Sequence, residues 1–199
     1  MSDLFDKNKA TQFSHIDQNL DQVHKVAGFL KPEVQAAAAI EAKHAQLGGT
    51  PGNPAAEVQA GAGGGFFRRY QHGAIYWHPQ VGAFWVYGDI YQKYLALKAE
   101  AGFLGYPLTD ETGAPDGVGR YNHFQGGSIY WTPKTKAHEV HGAIRDRWAQ
   151  LGWERSYLGY PVGDETDNGP GGRISRFEKG AILWNPQTGV KDVKSVNFD

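Results

Sequence analysis

Apolar side chains return along this chain with two alternating periods. Ile40, His44 and Leu47 stand at i, i+4 and i+7, and so do Ile90, Tyr94 and Leu97, and again Ile144, Trp148 and Leu151. That spacing lines up one face of a helix. A cation follows at i+3 in each copy (Lys43, Lys93, Arg147), placed to lay its stem beside the buried stripe. Glycines close the three segments: Gly48 and Gly152 directly, Gly102 a turn later, each read as a left-handed cap. After a Gly/Pro-rich stretch the period drops to two. Arg120 to Phe124, a Gly126-Gly127 turn and Ser128 to Trp131 predict a β-hairpin. A further short strand carries Val86, Val140 and Val193 at equivalent places.

The same words recur at a fixed distance. Ile75-Tyr76-Trp77-His78-Pro79, Ile129-Tyr130-Trp131-Thr132-Pro133 and Ile182-Leu183-Trp184-Asn185-Pro186 lie 54 and then 53 residues apart. Leu104-Gly105-Tyr106-Pro107 returns as Leu158-Gly159-Tyr160-Pro161, with a worn first copy in Gly52-Asn53-Pro54. Such a period means one supersecondary unit copied in tandem, each copy leaning on its neighbours for a core. The expected fold is α+β: three units of helix, Gly-x-Pro turn and antiparallel meander, at about 38–88, 89–142 and 143–194 within a repeat domain of 32–199. Phe13, Ile16, Leu20, Val23, Ala27 and Leu30 keep helical spacing, so residues 1–31 are expected to form an amphipathic helix. It would cap the first unit or serve homo-oligomerisation. The Gly-rich stretch 60–65 is expected to be a flexible loop.

Composition narrows the field. The 199 residues are 40% hydrophobic and 13% aromatic, as in a folded protein, and the net charge is −1 with both signs interspersed. Nothing marks a nucleic acid or an anionic membrane as partner. There is no Cys, hence no disulfide or thiolate chemistry, and no apolar run of the ~20 residues that span a bilayer. The N-terminus lacks the plan of a secretion signal, which leaves cytoplasmic and envelope locations both open.

Catalytic and metal readings find little support. Asp110-Glu111 and Asp164-Glu165 would have to face one another across a bond ~5 to ~9 Å wide to act as acid and base. Within a repeated Asp-Glu-Thr they read as turn residues, with Arg120 and Arg173 as natural ion-pair partners. His138 and His141 are three apart on a predicted strand, unlike the i, i+4 helical pair that binds zinc. No metal, cofactor or catalytic residue is expected.

Binding is better supported. With 6 Trp, 10 Tyr and 10 Phe, the chain carries more aromatic surface than small cores hide. Aromatic faces beside amides, carboxylates and guanidinium groups suit sugars. Trp77, Trp131 and Trp184 recur like core residues and are expected to be buried. Strand alternation would turn Tyr76 and Tyr130 the other way, onto an exposed platform. Trp85, between Phe84 and Tyr87, is a further contact candidate, and Glu111, Glu165, Arg120 and Arg173 complete the expected ligand-binding set.

Leu-Gly-Tyr-Pro…Asp-Glu-Thr, Gly-Gly-Ser-Ile-Tyr-Trp-Thr-Pro and the run His138 to Trp148 together resemble LGFP repeats, with Tyr in place of the usual Phe. The resemblance spans about residues 38–194, the first copy being degenerate. It implies a cell-envelope or secreted location, as is usual for such repeats, chiefly in actinobacteria. There they accompany mycoloyltransferase or amidase domains and are thought to hold the protein to wall polysaccharide; no such domain fits in residues 1–37. The expected function is therefore non-catalytic binding of a cell-wall polysaccharide or glycan. The alternative is an interaction or assembly domain using residues 1–31 and the first unit.

Overall fold

A computed structural model describes residues 31–195. Helix α1 (Pro32–Gln46) is followed by strands β1 (Gln59–Ala60), β2 (Phe66–Arg69), β3 (Ala74–His78) and β4 (Gly82–Val86). Helix α2 (Gly88–Ala96) leads to β5 (Thr112–Gly113), β6 (Arg120–Phe124), β7 (Gly127–Thr132) and β8 (Lys136–His141). Helix α3 (Gly142–Leu151) leads to β9 (Thr166–Asp167), β10 (Arg173–Phe177), β11 (Gly180–Asn185) and β12 (Gly189–Lys194). Each group of four strands is an antiparallel sheet in sequence order. The fold is thus the expected α+β repeat. The two-residue edge strands β1, β5 and β9 are additions, too short to leave a periodic signal. The helix expected over 1–31 lies outside the described residues. Among those described, no helix is long and apolar enough to cross a membrane.

Helices and sheets alternate in a stack. One face of the first sheet packs Ile75, Trp77 and Trp85 against Ala36 and Ile40 of α1. Its other face packs Ala74, Tyr76 and Val86 against Ile90 and Tyr94 of α2, which also cover Ile129 of the second sheet. Tyr130 faces away into a third cluster with Ile144 and Trp148 of α3, together with Phe177 and Ile182 of the third sheet. A middle strand such as β3 or β7 therefore has an apolar layer on both faces.

Two expectations about glycine are corrected. Left-handed residues do close α1 at Gly48 (φ 61°) and α3 at Gly152 (φ 102°), but α2 is closed by Lys98 (φ 69°). Gly102 is needed for space instead, since a Cβ there would lie 1.9 Å from the Leu97 carbonyl oxygen. The loop at 60–65 is a built corner rather than a loose tether. It holds a short 3-10 turn, Ala62–Gly64, whose Ala62 carbonyl accepts a 2.6 Å hydrogen bond from the Tyr106 hydroxyl of the next unit. A Cβ on Gly65 would lie 2.4 Å from that tyrosine.

Candidate functional site

Strand β4 runs into α2, and β8 into α3, with almost no loop between them. Gly88 (φ 59°) and Gly142 (φ 53°) make the corner in a conformation that favours glycine. Each corner opens a cleft towards the following sheet. The first is lined by Tyr87, Gly88, Asp89, Ile90, Glu111, Arg120 and Trp131, and the second by His141, Gly142, Ala143, Ile144, Glu165, Arg173 and Trp184. These are the same seven positions of two successive units. The pairing register explains the recurrence: Arg120 lies opposite Trp131, and Arg173 opposite Trp184, on neighbouring strands.

Both clefts are built around a buried carboxylate. Glu111 and Glu165 have side chains only 5% exposed, each paired with the half-exposed arginine of its unit. Arg173 Nε donates to Glu165 Oε1 at 2.7 Å, and Arg120 makes the equivalent bond to Glu111. The ion pairing expected from the sequence is thus present. Charge-assisted bonds of this kind hold a guanidinium in one orientation. The arginine then stands beside the half-buried indole of Trp131 or Trp184.

The neighbouring aspartates do something else. Asp110 accepts from Lys43 Nζ at 2.9 Å and from the Trp85 backbone N–H at 2.8 Å. Asp164 accepts from Lys93 Nζ at 2.7 Å, with His138 Nδ1 at 3.1 Å and the Glu139 N–H at 3.3 Å. Burial alone would raise its pKa, but the bonds from His138 and Lys93 outweigh that and hold it down at about 2. Each Asp therefore staples its unit to the helix and sheet before it, while the adjacent Glu turns into the cleft. The two carboxylates of an Asp-Glu pair thus serve different places.

Three residues of the expected set do not join the clefts. Tyr76 and Tyr130 are each 2% exposed, and burial pushes both hydroxyls far above their ordinary pKa. They cannot offer a stacking platform, because the next helix covers the face that alternation assigned to solvent. Trp85 is 7% exposed, stacked on Tyr87 with ring centroids 4.0 Å apart and donating its indole N–H to the His72 carbonyl. Conversely Trp131 and Trp184, expected in the core, are only half-buried, while Trp77 is buried. The signal that could have exposed this lies in the first unit. There Val58 and Phe66 stand where later units carry Glu and Arg, with Phe66 opposite Trp77. Glu and Arg vanish together, and α1 extends back to Pro32 across the position of the cleft.

Among the described residues no group of three or more His, Cys, Asp or Glu is arranged to hold a metal ion. None of the curated proteins matches this chain. The family model for the LGFP repeat matches three times, at residues 52–102, 104–156 and 158–198. Those segments start at the Gly-x-Pro turn and run through the sheet, the first two continuing through the helix that follows it. LGFP repeats are a repeat module rather than a catalytic family and occur in cell-wall-associated proteins. Matched over most of its length, the chain belongs to the LGFP-repeat family.

Proposed function

We propose that this protein binds a polysaccharide of the cell wall without changing it, and that the junction clefts make the contacts. The observation that carries this reading is the twofold recurrence of one constellation: a half-exposed indole, an oriented guanidinium and a buried Glu in a concave corner. A sugar presents C–H faces that stack on an aromatic ring and hydroxyls that meet charged and amide groups. Glu111, Glu165, Arg120 and Arg173 keep their place in the proposed contact set, joined by Trp131 and Trp184. Turnover finds no support in what the two clefts share, since each shared carboxylate is tied to its arginine.

Similar weak sites on one rigid body bind a polymer far better than its free units. Calorimetry with wall polysaccharide and with its component monosaccharides measures that contrast. Tight binding of the polymer, weak binding of the monomers and loss of both on joint Trp131→Ala and Trp184→Ala replacement are expected. Equal affinity for polymer and monomer, or no binding to any glycan, would sink the proposal.

A further inference from the structure

The twin clefts differ at two of their seven positions, and the difference is chemical. In the first, Asp89 Oδ2 accepts the Trp131 indole N–H at 2.8 Å, and the Tyr87 hydroxyl accepts from Arg120 Nη2 at 3.2 Å. The two groups best placed to greet a ligand are therefore engaged within the cleft, which encloses about 290 Å³. In the second, Ala143 stands where Asp89 was, and the Trp184 N–H makes no hydrogen bond to a described residue. His141, in place of Tyr87, makes no hydrogen bond to Arg173: its Nδ1 lies 2.7 Å from Glu139 and its Nε2 3.3 Å from Glu165. This cleft is larger, about 420 Å³, within the usual range for a small-molecule site.

Charge limits what could enter. Arg173 is matched by Glu165 and Asp167, with Glu139 behind His141, so carboxylates outnumber the guanidinium. An acidic sugar would meet that excess at close range, where like charges cost most. Building on the glycan reading, we propose that the second cleft is the primary site and takes one neutral sugar residue. The Trp184 indole N–H donates to one of its oxygens and the indole face stacks on its ring. The Asp89–Trp131 hydrogen bond makes the first cleft the weaker, secondary contact, so that Asp89 and Ala143 decide where a chain of sugars docks first.

Exchanging those two residues tests the idea, because each change installs what the other unit already carries at that place. Calorimetry with a neutral wall oligosaccharide should resolve one tight site per chain in the parent protein, the first cleft binding more weakly. Ala143→Asp should weaken binding at least about tenfold, or about 1.4 kcal/mol. Asp89→Ala should raise the number of tight sites to two. Indole N–H resonances supply a reading that needs no ligand: Trp184 should exchange rapidly with water and Trp131 slowly, with Trp131 joining the fast group in Asp89→Ala. Two equal sites in the parent, unchanged affinity in Ala143→Asp, preference for acidic oligosaccharides, or equally fast exchange of both indoles would overturn this assignment while leaving glycan binding intact. Absence of glycan binding in all three proteins, with the indole contrast present, would instead overturn the glycan reading and the ligand assigned here with it.

Discussion

Gly105 has a φ of 63°, and a Cβ added to it would lie 2.6 Å from Gln125 Oε1. The same oxygen accepts the Tyr106 backbone N–H at 2.8 Å, so the glycine and the amide side chain form one clip. Gly52 with Gln71 and Gly159 with Glu178 repeat it. Gly105→Ala should therefore cost about 1–2 kcal/mol from the left-handed backbone alone, measured by chemical denaturation. An unchanged unfolding midpoint would mean that the turn relaxes without loss. The tryptophans divide by the same local logic. Trp148 is fully buried, and Trp148→Ala should cost about 3–5 kcal/mol, whereas Trp131→Ala should cost about 1–3 kcal/mol because its indole is only partly buried. Equal losses in stability would contradict the exposure of the cleft.

A middle strand such as β7 carries Ile129 towards α2 and Tyr130 towards α3, so its strict alternation no longer separates core from solvent. The corner where β8 becomes α3 adds a pH dependence. A hydrogen bond donated to the Glu139 carboxylate raises the pKa of His141, aided by Glu165 and opposed by burial and Arg173. A raised folded pKa contributes stability that is complete below the ordinary value of 6.5 and is lost as pH rises through the raised one. His123 runs the other way: burial and Arg145 depress it to about 4, so its share is present above 6.5 and fades as pH falls towards 4. Comparing His141→Tyr with the parent isolates the first effect. The parent's advantage in melting temperature should shrink as pH rises past 6.5; a constant difference across that range would rule the His141 linkage out.

Across the array, the units are joined by shared apolar layers and by the Lys43–Asp110 and Lys93–Asp164 staples. In the third unit Arg147 stands where those lysines stood, and it pairs at 2.7 Å with Asp192 of its own sheet. Asp164→Ala removes the acceptor shared by Lys93, His138 and the Glu139 N–H, and should cost about 1–2 kcal/mol. Since nearest-neighbour contacts carry such an array, the loss should appear as earlier hydrogen exchange in the third unit than in the first. Uniformly faster exchange along the chain would instead describe one indivisible core.

The three-unit plan, the helix faces through Ile40, Ile90 and Ile144, the hairpins and the Glu–Arg pairs were legible in the sequence alone. Each rests on local chemistry: helical or alternating spacing, turn residues, and opposite charges on adjoining strands. Burial of Tyr76 and Tyr130 was not legible, because it depends on a helix from the following unit arriving on their face. The clefts were hidden for the same reason. Trp131 and Trp184 share the spacing of the buried Trp77, and what keeps them partly in water is the short start of α2 and α3 compared with α1. Periodicity reports which residues share a face. Which faces meet, and where a gap remains between them, was decided by how far each helix extends over the sheet that follows it in the chain.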